Sequence, residues 1–129
     1  MTDKLYRVSF DEDEAIVRVR MVGKATHEDH CAAQDDAVQL CLDKKCQKLL
    51  VDLRELSTEL SSTANCILFA KSLAKRPMQL RIANVLPVDS KSSEDVKFIS
   101  TIASIRGHST KVFSNMEEAR QWLLQKQRL

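Results

Sequence analysis

The segment LLVDLREL, residues 49–56, decides the class of fold. Its apolar residues begin as a continuous run instead of alternating with polar ones, and such a run is typical of a strand that is covered on both faces. A sheet covered on both faces needs helices on each side. We therefore expect QKLLVDL, residues 47–53, to form a central strand of an α/β domain.

Strand and helix patterns flank this segment on its N-terminal side. LYRVSF (5–10) and AIVRVRMV (15–22) alternate apolar and polar residues around the acidic turn DEDE (11–14), which predicts an antiparallel hairpin. Thr26 is placed to cap a helix that runs to about Asp43.

Strands and helices continue to alternate after the central segment. The predicted elements are a buried helix over 62–75, a strand over 80–88, a helix from Ser92 or Ser93 to Gly107, a strand over 110–113, and a last helix behind a Ser114–Glu117 capping box. The order β-β-α-β-α-β-α-β-α predicts one α/β domain over residues 1–129, with a mixed, largely parallel sheet of about five strands and about four helices.

Composition excludes several classes of protein. Gly23 and Gly107 are the only glycines, so neither a GxGxxG motif nor a P-loop can be present. A net charge of +2 does not indicate a polyanion partner, so we expect no nucleic acid. No stretch reaches the roughly 20 apolar residues of a membrane span, and the N-terminus does not resemble a secretory signal. We therefore expect a cytoplasmic protein whose four cysteines, Cys31, Cys41, Cys46 and Cys66, are small apolar side chains.

Four segments carry a resemblance to a known family. VRMVGKAT (19–26) leads a strand through a glycine into a helix, and LLVDLREL places Asp52 at the end of the central strand. ELSSTANCIL (59–68) puts serines at the start of the next helix, and KVFSNMEEARQWLL (111–124) joins the closing strand to the last helix. In order and spacing these segments resemble the STAS domains, the sulfate-transporter and anti-sigma-factor-antagonist family, and in particular the small SpoIIAA-like proteins of bacteria.

The resemblance implies an α/β fold, no catalysis, no cofactor, and a role in binding a protein or a small ligand. In the anti-sigma-factor antagonists, a partner kinase phosphorylates the first serine of a D-S-S-G motif. By position that serine is Ser61, with Ser62 beside it. Leu60 stands where the family has aspartate, and Thr63 where it has glycine.

The hydroxyls at positions 61–63 have two interpretations. Each could cap the following helix by accepting a hydrogen bond from a free amide, which contributes about 1 kcal/mol. A phosphate at the same helix start would be electrostatically favoured and would add nearly two negative charges. The sequence leaves both interpretations open.

Loops at the carboxyl ends of parallel strands are where open α/β sheets usually bind ligands. We therefore expect a binding surface formed by Gly23, Thr26, Asp52, Ser57, Thr58 and Thr63. The predicted function is a non-enzymatic regulatory module that binds a regulatory protein of anti-sigma-factor or kinase type, or a nucleotide, and a homodimer is left open. The alternative is a carrier of a small apolar or lipid-like ligand, which depends on the apolar helix predicted over 64–74.

Two further clusters have simple explanations. His27, His30 and Cys31 have the spacing of metal ligands on one helix face, but no second group of ligands completes a site, so we expect an exposed polar face and no metal. The basic residues Lys71, Lys75, Arg76 and Arg81 are best explained as a solvated helix end.

Overall fold

A computed structural model describes residues 5–23, 27–56, 79–85 and 109–125 of the chain. These residues form five strands and two helices: β1 (Tyr6–Asp11), β2 (Ile16–Gly23), α1 (His27–Lys44), β3 (Lys48–Leu56), β4 (Arg81–Val85), β5 (Ser109–Phe113) and α2 (Met116–Leu124). The strands make one sheet in the order β1-β2-β3-β4-β5. β1 and β2 are antiparallel, and every other neighbouring pair is parallel.

The predicted mixed, largely parallel sheet of five strands is therefore confirmed. Of the roughly four predicted helices, the described part of the chain contains two. The helices predicted over 62–75 and from Ser92 or Ser93 to Gly107 lie outside the described residues. α1 ends at Lys44, one residue beyond the predicted end.

Alternate residues of β3 are buried against different helices. Leu49 and Leu53 belong to the α1 core, whose buried members are Val17, Val19, Met21, Ala33, Ala37, Val38, Cys41, Cys46, Leu49, Leu53, Leu80 and Ile82. Leu50 belongs to the α2 core, made of Ile16, Leu50, Ala83, Val85, Phe113, Ala119 and Leu123. Because strand side chains alternate between faces, β3 carries one core on each side of the sheet, as its apolar run predicts.

A group of ion pairs attaches the β1–β2 turn to α2. Arg120 contacts Glu14 of the turn through Nη1 and Glu117 of its own helix through Nη2, the latter at 2.6 Å. Glu14 also accepts a hydrogen bond from Arg18 Nη2 at 3.3 Å. The turn itself is closed by Asp11, whose Oδ1 accepts the backbone N–H groups of the second and third residues after it at 3.0 and 3.2 Å.

A left-handed residue ends α1 although it is not glycine. Lys45 has φ of 54°, its N–H donates to the Leu42 carbonyl at 3.3 Å, and the Cys46 N–H donates to the Cys41 carbonyl at 2.8 Å. This pair of bonds is the Schellman motif. An apolar contact between the residues at the positions of Cys41 and Cys46 often accompanies it, and both cysteines belong to the α1 core. Both cysteines are free and buried, and burial, with a smaller effect of Cys46, raises the pKa of the Cys41 thiol to about 12.

The prediction that Ser114 caps the last helix is wrong, and the cap lies one residue later. Asn115, and not Ser114, caps α2: its backbone is extended (φ −138°, ψ 128°), and its side chain accepts the Glu118 N–H at 3.1 Å. Asparagine is as good an N-cap as serine, so the local sequence offers two competing caps. With the cap at Asn115, Glu117 is available to pair with Arg120.

The burial of β3 on both faces can be tested by truncating Leu50, which is 1% exposed. We expect Leu50→Ala to lower the free energy of unfolding by about 2–5 kcal/mol, because it leaves a cavity in the α2 core. Leu42→Ala is the matched control, since Leu42 is 41% exposed and should cost less than about 0.5 kcal/mol. Urea denaturation followed by circular dichroism measures both, and equal losses would contradict two-sided burial.

Candidate functional site

The ends of β2 and β3 lie side by side at the carboxyl edge of the sheet. Gly23 and Leu56 are the last paired residues of these parallel strands. The two segments that the sequence predicts to bind a ligand therefore leave the sheet from neighbouring positions. Of the predicted site residues, the structure describes Gly23 and Asp52. The remaining predictions, for Thr26, Ser57, Thr58, Ser61, Ser62 and Thr63, lie outside the described residues.

Gly23 occupies a backbone conformation that other residues rarely adopt. Its φ is +63°, in the left-handed region. A Cβ added there would lie 3.9 Å from Leu5 Cδ2, which is an ordinary contact distance. The constraint on this position is therefore the direction of the chain as it leaves β2, and not a lack of space.

A register shift redirects the end of β3. Arg20 pairs with Asp52, but Val22 pairs with Glu55, so β3 has one more residue than β2 in this interval. The extra residue re-aims the side chains that follow it, as a β-bulge does. Here it brings Glu55 to the same side as Arg20, whose Nη2 donates to Glu55 Oε2 at 2.5 Å.

Asp52 is held by Arg54 of the same strand. Its carboxylate accepts hydrogen bonds from Arg54 Nε at 2.9 Å, from Arg54 Nη2 at 3.0 Å and from the Arg54 backbone N–H at 3.1 Å. Burial alone would raise the pKa of Asp52. The bonds from Arg54, together with the positive charges of Arg54 and Arg20, overcome this and hold the pKa below its ordinary value.

Arg20, Asp52, Arg54 and Glu55 together form what we call the charged rim. The Asp52 side chain is only 16% exposed, whereas the two arginines and Glu55 are more than half exposed. Guanidinium groups bind carboxylates and phosphates with two parallel hydrogen bonds. The charged rim can therefore exchange its internal ion pairs for pairs with a ligand.

Sequence reasoning identified Asp52 but not the other three members of the charged rim. Arg54 and Glu55 directly follow the buried run of β3, and this change from apolar to charged residues was the available signal. Arg20 is distant in sequence from Glu55, and their contact depends on the register shift. No local pattern could have shown it.

Arg81 is a residue of β4 that Trp122 holds, so the explanation of a solvated helix end is wrong for this residue. Its guanidinium lies 4.0 Å from the centre of the Trp122 ring, and Nη2 donates to the Trp122 carbonyl at 2.8 Å. Stacking and this bond attach β4 to the end of α2. Lys71, Lys75 and Arg76 lie outside the described residues.

The possible metal ligands His27, His30 and Cys31 fall on the first turns of α1, as their spacing predicts. The side chains of these three residues lie outside the described part of the structure. Among the side chains that it describes, no group of three or more histidine, cysteine, aspartate or glutamate residues could hold a metal ion. None of the helices described for this chain is long and apolar enough to cross a membrane.

Comparison with known proteins supports the fold. No protein-family model and no curated protein matches the sequence. The chain is similar to the crystal structure of an uncharacterized protein of the DUF3478 family with a SpoIIAA-like fold, from Shewanella loihica PV-4. The likeness covers 95% of this chain and 98% of that chain, with a TM-score of 0.53 and 19% identity. At this identity the likeness shows the fold alone, and it confirms the predicted SpoIIAA-like fold.

The conformation of Gly23 makes a prediction about stability. We expect Gly23→Ala to lower the free energy of unfolding by about 1–2 kcal/mol, because an L-residue is strained in the left-handed region. Gly23→Asn should cost less, since asparagine tolerates this region better. Urea denaturation compares the two variants. A larger loss for Gly23→Asn would show that space, and not the backbone, limits this position.

Because the pKa of Asp52 is lowered, we expect its contribution to the free energy of unfolding to depend on pH. A carboxyl whose pKa is lower in the folded than in the unfolded chain stabilises the fold most above the unfolded value of about 3.9. At neutral pH we expect Asp52→Asn to cost about 1 kcal/mol. This difference from wild type should shrink as the pH falls below 3.9. Unfolding free energies measured across this range test the expectation.

The source of the pKa shift can be tested separately. In an Arg54→Ala background, the two side-chain hydrogen bonds that lower the pKa of Asp52 are absent, and the bond from the backbone N–H of residue 54 remains. The pH dependence of the Asp52→Asn cost should then be much smaller. An unchanged dependence would show that Arg54 is not its cause.

Proposed function

We propose that this chain is a non-enzymatic regulatory module that acts in the cytoplasm by binding a partner at the carboxyl edge of its sheet. The SpoIIAA-like fold supports a role of the anti-sigma-factor-antagonist type. The observation that carries the proposal is the pairing of Gly23 with Leu56, since it makes the two predicted binding segments neighbours. The charged rim flanks the same edge.

A protein partner fits the charged rim better than a nucleotide does. The chain has no glycine-rich loop to surround a phosphate. The exposed charges at this edge are of both signs, with Arg20 and Arg54 beside Glu55. A protein surface can offer both complementary charges at once, and such complementarity selects a partner and suppresses wrong ones. We therefore place a regulatory protein first and a nucleotide second.

Phosphorylation is the finer part of the proposal. Ser61 and Ser62 follow the end of β3 in sequence. A phosphate on Ser61 would add nearly two negative charges to the segment that leaves the sheet at Leu56. A kinase could thereby change which partner the edge binds. If the serines only cap the following helix, binding at this edge would be independent of phosphorylation.

The described residues give no support to the carrier alternative. A carrier of an apolar ligand needs an enclosed apolar cavity. The groove of about 460 Å³ lined by Ala15, Leu42, Lys45, Cys46, Gln47 and Lys48 is open and includes charged side chains. It also lies at the amino end of β3, away from the Gly23–Leu56 edge.

Reversing the charge of Arg54 tests the proposal, and reversing a charge that lies before β3 is the control. We expect wild-type protein purified from its own host to retain a partner chain or nucleotide in native mass spectrometry. Arg54→Glu should reduce the bound fraction by about tenfold or more, since like charges across an interface cost several kcal/mol. Lys45→Glu is the matched control, because Lys45 is also exposed but lies before β3.

The intact masses give the fraction of each variant that is bound to a partner. Equal occupancy in both variants, or no bound partner in wild type, would contradict binding at the charged rim. The same spectra report any added phosphate, and fragmentation assigns it. Absence of phosphate from Ser61 and Ser62 in protein that binds its partner would remove the switch but leave the binding proposal standing.

A further inference from the structure

We propose that β1 is a dimerisation edge, on which β1 of a second copy of this chain adds in antiparallel orientation. The two strands would pair about Ser9. In this register, Arg7 lies opposite Asp11 of the second copy, and Val8 lies opposite Phe10 of the second copy. This inference goes beyond the proposed function, which concerns the carboxyl ends of β2 and β3.

β1 has one paired side and one outer side. Among the described residues it pairs only with β2, in an unbroken antiparallel register from Tyr6 to Asp11. The Val22 N–H donates to the Leu5 carbonyl at 2.9 Å, which sets the direction of the backbone groups along the strand. Because these groups alternate, those of Arg7 and Ser9 point towards β2, and those of Val8 and Phe10 point outward.

The side chains of this strand are self-complementary. The sequence RVSFD, residues 7–11, has a positive charge at one end, a negative charge at the other, apolar residues inside them and Ser9 at the centre. An antiparallel copy centred on Ser9 places each charge opposite its counter-charge and each apolar residue opposite another. It also places Val8 and Phe10 where their outward N–H and C=O groups bond across the interface.

In other registers, Arg7 and Asp11 of the two strands no longer face each other. A shift of one residue would place residues of opposite sheet faces across from each other. A shift of two residues would place Arg7 opposite Ser9 or would place Ser9 opposite Asp11, so that the opposite charges no longer face each other. A larger shift sets two Arg7 or two Asp11 side chains opposite one another, which is destabilising.

In the single chain, Arg7 and Asp11 are both able to form a further ion pair. Arg7 is exposed and lies directly opposite Arg20 on β2, which is an unfavourable cross-strand pair. Arg20 is paired with Glu55, whereas Arg7 makes no ion pair with the described residues. Asp11 Oδ2 contacts Arg18 only at 3.4 Å, so it can accept a further bond.

β1 lacks three features that often protect an edge strand. Residues 6–11 contain neither proline nor lysine, and no register shift interrupts their pairing with β2. Val8 and Phe10 are only partly buried against the α1 core. A second β1 would bury them further and would join two five-stranded sheets into one two-fold-symmetric sheet. Because the strand is short, we expect an interface at the small end of the range for specific dimers.

Disulfide trapping tests the register directly. Ser9 would face Ser9 of the second copy in a non-hydrogen-bonded pair, with Cα atoms about 4.5 Å apart, which is within reach of a disulfide. We expect Ser9→Cys to form a covalent dimer under mild oxidation with copper phenanthroline. Arg7→Cys is the matched control, since two residues at position 7 would be roughly 13 Å apart and should not cross-link. Peptide mapping identifies the linked cysteines.

Charge reversal tests the pairing without a cross-link. Wild type should be a concentration-dependent dimer in sedimentation velocity, and Arg7→Asp should raise the dissociation constant by roughly tenfold or more. Lys111→Asp, an equal change on the opposite edge strand β5, should leave it unchanged. Circular dichroism confirms folding, which these exposed substitutions should preserve.

Three results would overturn the proposal. They are a wild type that stays monomeric at all concentrations, a dimer that Arg7→Asp does not weaken, and cross-linking at position 7 that equals or exceeds that at position 9. All three are measured on the protein without a partner at the charged rim, so failure of the dimer and failure of the proposed function are distinguishable.

Discussion

The burial of β3 on both faces is the constraint on which the rest of the structure depends. Leu49 and Leu53 need apolar partners on one side of the sheet, and Leu50 needs them on the other. A strand with this requirement cannot lie at an edge, because its neighbours and the helices beyond them must cover it. α1 and α2 therefore lie on opposite faces, and the β1–β2 hairpin and the β4–β5 pair occupy the two sides of β3.

The candidate site arises where this burial ends. Leu53 is the last described side chain of β3 in the α1 core, and the charged residues Arg54 and Glu55 follow it in the same strand. The register shift before Glu55 turns it towards Arg20, while Asp52 accepts hydrogen bonds from Arg54. The same strand thus supplies the centre of the fold and half of the charged rim, which fixes the rim relative to both cores.

Sequence patterns predicted the strands and the burial of β3. They missed features that depend on a choice between adjacent residues or on contacts between residues far apart in sequence. The hairpin strands follow from the alternation of apolar and polar residues, and the two-sided burial of β3 follows from its continuous apolar run. The cap of α2 was misplaced because Ser114 and Asn115 are adjacent and equally suited, so only the three-dimensional structure selects between them. The explanation of Arg81 as part of a solvated helix end fails because its stacking on Trp122 joins residues far apart in sequence. The left-handed conformation of Lys45 had no glycine to indicate it.

β2 connects the two surfaces proposed here. Its Arg20 belongs to the charged rim through Glu55 and lies opposite Arg7 on β1. Among the described residues, Glu55 and Asp52 offset the repulsion between these two arginines. In the proposed dimer, Asp11 of the second copy neutralises Arg7, so Arg20 is left freer to exchange Glu55 for a group on a partner. Binding at the rim and dimerisation would then be linked, and thermodynamic reciprocity requires that each change the affinity of the other by the same factor.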